Sequence, residues 1–177
     1  MELLIIGLAM FIGIHLLPSF VNIRQNLINK LGEMPYKGAY AAIALTGLVL
    51  IVIGHRKADF IFVKNTPPWG FEMTNLLMPL VFILFSAVYL PGNIKRFTRH
   101  PMLWGTILWS ILHLLSNGDL ASIIIFASIG IFALFNMYSF NRRGAKLQQQ
   151  KLSFYKDVVV VVVGFVTYVV VLQFHPA

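Results

Sequence analysis

Long apolar runs separated by short polar segments dominate this chain. A helix needs about 20 apolar residues to cross a bilayer, so several runs depend on their polar and aromatic flanks for length. The valine-rich last run also predicts a helix, because an isolated strand leaves its backbone polar groups unsatisfied in lipid. The pattern predicts an all-α, polytopic transmembrane helical bundle of about six helices, or five if one short segment does not cross. The six runs occupy residues 3–20, 39–54, 76–90, 102–115, 120–137 and 158–174.

The segments at the edges of these runs predict further local structure. Apolar residues recur at helical spacing within residues 21–31, which predicts an amphipathic helix at the membrane interface. Pro101 suits the first turn of the fourth long helix. The turn at residues 117–119 is so short that the fourth and fifth helices should form an antiparallel hairpin. Gly7 and Gly13 are expected to let a neighbouring helix approach the first helix closely.

Composition agrees with a membrane protein. Of the 177 residues, 58% are hydrophobic and 11% are charged, whereas about a quarter are charged in a soluble domain. The net charge of +8 would indicate nucleic-acid binding in a soluble chain, but no stretch here interleaves basic and aromatic residues. We therefore expect no nucleic-acid partner. The absence of cysteine excludes disulfides and thiolate ligands.

The basic residues predict an orientation in the membrane. If six helices cross, eleven of the 14 lysines and arginines lie on one side, which should be the cytoplasmic side, and both termini are then periplasmic. No basic segment precedes the first run and no small-residue cleavage site follows it, so we expect a membrane helix and not a signal peptide. The three basic residues on the other side of the membrane are Arg56, Lys57 and Lys64.

No repeat is visible, and residues 1–177 are predicted to form a single domain.

Histidines are the main candidates for chemistry, because the apolar runs contain almost no carboxylates. His113 lies inside the fourth run with no ionic partner in its helix, and His15 lies inside the first run. An ionisable residue in such a run indicates function by default, and imidazole is a common metal ligand. The alternative is a neutral histidine that bonds a backbone carbonyl or a serine of the next helix. His55 and His175 are expected to be plain interface residues.

A second group of candidates precedes the fourth helix. His100 is either a solvated interfacial residue or part of a site. It is thirteen residues from His113, which corresponds to about 20 Å of helix and about 220° of rotation, so the two cannot ligate one iron. Each would need a partner from another helix, for which His15 is best placed. Arg96 and Arg99 suit an anionic group as bidentate donors, or serve only to set topology.

Five groups of residues stand in an order that resembles a known family. They are Gly13-Ile14-His15, Gly32-Glu33 with Tyr36-Lys37-Gly38, Tyr89-Leu90-Pro91-Gly92, Lys95-Arg96 with Arg99-His100-Pro101-Met102, and His113-Leu114 with Asn117-Gly118-Asp119-Leu120. In combination they resemble the NnrU family. The resemblance covers residues 3–143, and a basic loop and the last helix, residues 144–177, follow it. It implies a multi-pass protein of the bacterial inner membrane that is associated with denitrification, with proteins of nitrite and nitric oxide metabolism as partners.

The same order is similar to that of the plant zeta-carotene isomerase, which binds haem b through histidines and isomerises a cis double bond in a redox-dependent way. This resemblance implies a haem b cofactor with His15 and His113 as metal ligands, and a lipid-soluble substrate. Arg96, Arg99 and His100 would form a cytoplasmic-edge site for an anionic group of the cofactor. A serine, at position 110, stands where the relative has a cysteine, so thiolate ligand exchange is not expected.

One motif also resembles a different class of enzyme. Arg99-His100-Pro101 with Gly105 is similar to the motif with which membrane methyltransferases of the isoprenylcysteine and phospholipid type bind S-adenosylmethionine. Those enzymes carry paired glutamates after the next helix, where this chain has Asn141-Arg142-Arg143. Three functions therefore stay open: a haem-b protein with redox or isomerase-like chemistry, an S-adenosylmethionine-dependent membrane methyltransferase, and a non-enzymatic assembly factor.

Overall fold

The computed structural model of the chain describes residues 1–175, and every regular secondary-structure element in that range is a helix. The only β-type pairing among these residues is an isolated antiparallel bridge between Phe62 and Asp119. The all-α prediction is therefore confirmed. The elements are α1 Glu2–Leu16, a 3-10 turn Leu17–Ser19, α2 Val21–Leu31, α3 Glu33–Arg56, α4 Gly70–Tyr89, α5 Ile94–Phe97, α6 Pro101–Ser116, α7 Leu120–Arg142 and α8 Phe154–Leu172.

Length and composition identify the helices that are able to cross a membrane. Within the described residues, five qualify: α1 together with its 3-10 turn, α3, α4, α7 and α8. The fourth predicted helix, α6, is apolar but has 16 residues, which corresponds to about 24 Å of helix against a hydrocarbon core of about 30 Å. The chain is thus a multi-pass membrane protein, and the sixth crossing stays a prediction.

Two helices begin six residues earlier than the apolar runs indicated. The second run starts at residue 39, but α3 starts at Glu33, because Gly32 at φ 86° turns the chain directly from α2 into α3. Glu33 then forms an ion pair of 2.7 Å with Lys37 one turn later. Similarly, α4 begins at Gly70 and not at residue 76. In both helices the residues before the apolar run, which include Glu33 and Glu72, are already helical. The helix predicted within residues 21–31 is present as α2.

The chain divides into two compact units, each described by itself. Unit 1 comprises Met1–Lys64 and Gly118–Ser128, and unit 2 comprises Asn65–Asn117 and the chain from Ile129 onward. The helix α7 begins in unit 1 and continues in unit 2. The single-domain organisation stays a prediction.

Glycines bring α1 and α3 into contact in unit 1. A Cβ atom at Gly7 would lie 2.6 Å from the backbone nitrogen of Ile51, and one at Gly47 would lie 2.8 Å from the backbone nitrogen of Phe11. The predicted close approach at Gly7 is therefore confirmed. The same prediction for Gly13 is wrong, because nothing lies within 4 Å of a Cβ placed there. Six residues along an α-helix correspond to a rotation of about 240°, which turns this second glycine away from α3.

A short connection also fixes the start of α7 in unit 1. The backbone nitrogen of Val63 donates to the carbonyl oxygen of Gly118 at 2.9 Å. The Asp119 Oδ1 atom accepts a hydrogen bond of 2.9 Å from the backbone nitrogen of Ser122, as an N-cap residue does. The Ser122 hydroxyl lies 3.2 Å from the Nε2 atom of His55. His55 therefore has a hydrogen-bond partner at the start of α7.

In unit 2, α4 packs against both α6 and α8. A Cβ atom at Gly164 of α8 would lie 2.6 Å from the Cα atom of Ile83 in α4, so the two backbones touch. The predicted antiparallel hairpin of α6 and α7 is present: a Cβ at Gly130 of α7 would lie 3.1 Å from the Cβ of Ser110 in α6, and the start of α6 meets the end of α7.

The start of α8 is tied to the turn after α4. The backbone nitrogen and the Nδ2 atom of Asn93 each donate to the Asp157 carboxylate at 2.6 Å. The same Nδ2 atom donates to the Leu152 carbonyl at 2.9 Å, and the Leu152 nitrogen donates back to Asn93 Oδ1 at 2.8 Å. One asparagine therefore fixes both the loop that precedes α8 and the first turn of the helix.

Apolar side chains cover the outside of the helices. On α8, the buried residues are Val160 and Gly164, whereas Val162 and Val166 are each 53% exposed. A soluble protein rarely exposes such contiguous apolar surface. The exposed faces fit a lipid environment, which agrees with the multi-pass assignment.

Candidate functional site

His113 lies on α6 with its side chain held by its own helix. The residue is 9% exposed, and its Nδ1 atom lies 2.9 Å from the carbonyl oxygen of Trp109, one turn earlier. Because a carbonyl oxygen only accepts, this bond assigns the proton to Nδ1 and the lone pair to Nε2. Histidines that ligate metals commonly donate their other ring N–H to a backbone carbonyl, which fixes the tautomer and the ring orientation.

The end of α6 that carries His113 is locked to the start of α4. The Thr74 hydroxyl lies 2.9 Å from the carbonyl oxygen of Leu112 and 2.6 Å from the hydroxyl of Ser116. The Asn117 side chain donates to the carbonyl of His113 at 2.8 Å. Thr74 was not among the predicted site residues, although a threonine inside an apolar helix is a recognisable signal for an interhelical hydrogen bond.

A second imidazole lies beside His113 in unit 2. The ring centroid of His175 is 6.2 Å from that of His113, with 60° between the ring planes. The expectation that His175 is only an interface residue did not include this contact with His113. The sequence held no signal for this pair, because the two residues are 62 positions apart and meet only through the packing of their helices.

His15 lies near the end of α1 in unit 1 and has the same backbone bond. Its Nδ1 atom is 2.6 Å from the carbonyl oxygen of Phe11, again one turn earlier, so the lone pair is also on Nε2. Its ring lies 4.2 Å from the ring of Phe11 and 5.5 Å from that of Tyr40. Tyr36 continues this aromatic group, and its buried hydroxyl has no hydrogen-bond partner among the described residues. Both predicted ligands thus have the tautomer that ligation requires, each within its own unit.

The basic segment before α6 meets the end of α7. The Asn141 Oδ1 atom accepts from Nε2 of His100 at 3.0 Å and from Nη1 of Arg99 at 3.2 Å. The His100 ring stacks on Phe140 with centroids 5.8 Å apart, and the guanidinium of Arg143 lies 4.6 Å from the same phenyl ring. We call Arg99, His100, Phe140, Asn141 and Arg143 the basic cluster.

Arg96 was predicted to complete this site, and its placement there stays a prediction. Within residues 1–175, no group of three or more histidines, aspartates and glutamates is arranged to hold a metal ion. The roles of His15 and His113 as ligands stay predictions.

Comparison with known proteins extends the resemblance drawn from the motifs. A family model described as NnrU protein matches residues 3–177. The chain belongs to the NnrU family. The match continues past residue 143 through the basic loop and α8, so the last helix is part of the family's fold. No curated protein and no solved structure matches the chain.

Two positions of this NnrU-family chain bear on its other resemblances. Ser110 is 2% exposed, and its hydroxyl has no hydrogen-bond partner among the described residues. It offers no thiolate. At the basic cluster, Asn141 occupies the place beside Arg99 and His100, and the residue that follows is an arginine and not a glutamate. A site without carboxylates attracts anions and disfavours the cationic sulfonium of S-adenosylmethionine.

Proposed function

We propose that this NnrU-family membrane protein binds haem b, which His113 would hold as a ligand of the iron. The observation that carries the proposal is the hydrogen bond from Nδ1 of His113 to the Trp109 carbonyl, in a helix that contains no lysine, arginine, aspartate or glutamate. A neutral imidazole that donates from Nδ1 has its lone pair on Nε2, and this bond favours that tautomer. His15 has the same bond to Phe11 and stays the second ligand predicted from the sequence.

The residues around His113 would serve the cofactor in distinct ways. The bond to Trp109 raises the basicity of Nε2 and keeps the ring from rotating. The Trp109 ring, 4.9 Å away, covers one side of the imidazole and helps to exclude water. Thr74 holds the end of α6 in place, which fixes the position of the ligand. A bound haem iron supplies one-electron redox chemistry that its axial ligands and the polarity of the site tune.

We further propose that this chemistry is redox or isomerase-like and acts on a lipid-soluble substrate, or that the protein assists the denitrification machinery in the bacterial inner membrane. The family membership supports the second alternative, and the apolar surroundings of His113 support the first. A site inside apolar helices is reached most readily by molecules that dissolve in the bilayer.

The basic cluster would bind an anionic group, together with Arg96, at the cytoplasmic edge. Arg99 and His100 converge on one amide oxygen, and no carboxylate takes part in that contact. The length of α6 separates this cluster from His113 by about 20 Å. We therefore propose that it serves a separate phosphate or carboxylate group, and not the ligand of His113.

The absorption spectrum of the detergent-purified protein, expressed with a supply of haem precursor, tests the proposal. A Soret band that shifts on reduction is expected in the wild type and should be lost in His113→Ala. His100→Ala is the matched control, because it removes an imidazole from the opposite end of the same helix and should leave the band unchanged. A wild-type protein without a Soret band, or an equal band in His113→Ala, contradicts haem ligation.

The same preparation distinguishes the other candidate functions. A colourless protein that binds S-adenosylmethionine would favour methyl transfer with Arg99 and His100 at the site. A colourless protein that binds neither ligand would favour a non-enzymatic assembly factor, in which the histidines only pack.

A further inference from the structure

The paired rings of His113 and His175 form a cluster that the motifs did not indicate. His113 lies three residues before the end of α6, and His175 lies three residues after the end of α8. Their ring centroids are 6.2 Å apart.

The packing of unit 2 explains why these rings are neighbours. Thr74 fixes the start of α4 to the end of α6 through its bonds to Leu112 and Ser116. The hydroxyl of Tyr168 on α8 donates to the carbonyl of Asn75 on α4 at 3.3 Å. The start of α4 is therefore a common partner that brings the ends of α6 and α8 together.

The backbone after α8 is also held in place. The nitrogens of Phe174 and His175 each donate to the carbonyl oxygen of Val171 at 3.0 Å. The chain thus continues to turn beyond the last residue of the helix. This path, and not a free tail, carries the second imidazole to His113.

We propose that His175 is the second protein ligand of the metal centre that His113 binds. This inference rests on the proposed function, and it replaces His15 in that role. Two imidazoles that bind one metal, each through a metal–nitrogen bond of about 2 Å, have ring centroids at most about 6 Å apart. The observed separation of 6.2 Å is close to that limit. The chemistry shared by haem iron and a divalent transition metal is ligation by two neutral imidazoles.

Electron paramagnetic resonance of the oxidised, haem-loaded protein tests the pair. The wild type should give the low-spin signal of iron with two strong axial ligands. His175→Ala should lose that signal and gain a high-spin one, while haem stays bound through His113. Imidazole added to this variant should fill the vacated position and restore the low-spin signal. His175→Gln should behave like the alanine variant.

Two further variants separate this inference from its alternatives. His55→Ala is the matched control, because that imidazole bonds Ser122 in unit 1, and it should leave the low-spin signal unchanged. His15→Ala should also leave it unchanged. If His15→Ala removes the low-spin signal and His175→Ala does not, the inference is overturned while haem binding stands.

A wild-type protein that carries no haem would instead contradict the proposed function. The pair is then tested with Cu²⁺ or Zn²⁺ alone, by metal analysis of the purified protein after removal of unbound ions. Stoichiometric metal that is lost in both His113→Ala and His175→Ala would support the site as one for a divalent ion. No bound metal, or metal retained in both variants, would overturn it.

Discussion

Replacement of Gly7 by alanine tests the contact on which unit 1 depends. The new Cβ would lie 2.6 Å from the Ile51 nitrogen and 2.9 Å from the Gly47 carbonyl oxygen. Both atoms belong to the backbone of α3, so no side-chain rotation relieves the overlap. To reach 3.4 Å, the lower limit of ordinary contact, α1 and α3 must separate locally by about 0.8 Å.

The size of the effect follows from that separation. A gap of 0.5–1 Å loses roughly a quarter to a half of the dispersion energy of the atoms that line it. Overpacked sites typically lose about 1–3 kcal/mol of stability. Because only backbone atoms oppose the new methyl group, we expect Gly7→Ala to fall in the upper part of that range.

Gly13→Ala is the matched control on the same helix. No atom lies within 4 Å of its added Cβ, and alanine in place of a helical glycine stabilises by about 0.5–1 kcal/mol. The assay is thermal unfolding in one detergent, followed by circular dichroism. The expected order of melting temperatures is Gly13→Ala at or above wild type, and Gly7→Ala well below it. Equal melting temperatures for the two variants would refute the packing described for α1 and α3.

Two other predictions concern the polar contacts. Thr74→Val should lower the free energy of unfolding by about 1–3 kcal/mol, because it removes the hydroxyl that links α4 to Leu112 and Ser116. The control variant Thr74→Ser keeps a hydroxyl and should recover most of the loss. A valine variant as stable as wild type would contradict this link between the helices. Partial burial raises the pKa of Asp119, but hydrogen bonds from Ser122 and the nearby His55 outweigh it and hold the pKa below its ordinary value. The ionised Asp119 carboxylate therefore stabilises the fold at pH values above the ordinary aspartate pKa. This stabilisation is lost as the pH falls through the lower pKa that Asp119 has in the folded protein. Asp119→Asn should therefore weaken the acid dependence of unfolding, measured in the same detergent, and an unchanged slope would contradict the role of the N-cap.

Apolar periodicity predicts most of the fold because lipid imposes strong constraints. A run of uncharged residues in a membrane must become a helix, so each of the six predicted runs lies within or overlaps a helix of the structure. Helix boundaries were harder to predict. The polar first turn of α3 resembles a loop in composition, and only the turn at Gly32 shows where the helix starts.

Contacts between residues that are far apart in the sequence could not be predicted from it. Asn93 bonds Asp157 across 64 positions, and the approach of His175 to His113 depends on two helix interfaces that share α4. Local geometry was easier to predict from the sequence. A hydrogen bond to a backbone carbonyl was one of the two interpretations of His113, and both His15 and His113 form such a bond with the carbonyl one turn earlier. The bond is compatible with ligation as well as with packing.

The haem content of the purified protein, measured by the pyridine haemochrome method, tests the central claim most directly. The account predicts about one haem b per chain in the wild type and a large loss in His113→Ala, with Trp109 and the rest of α6 unchanged. Haem-free wild-type protein, or full haem content in the variant, would contradict it.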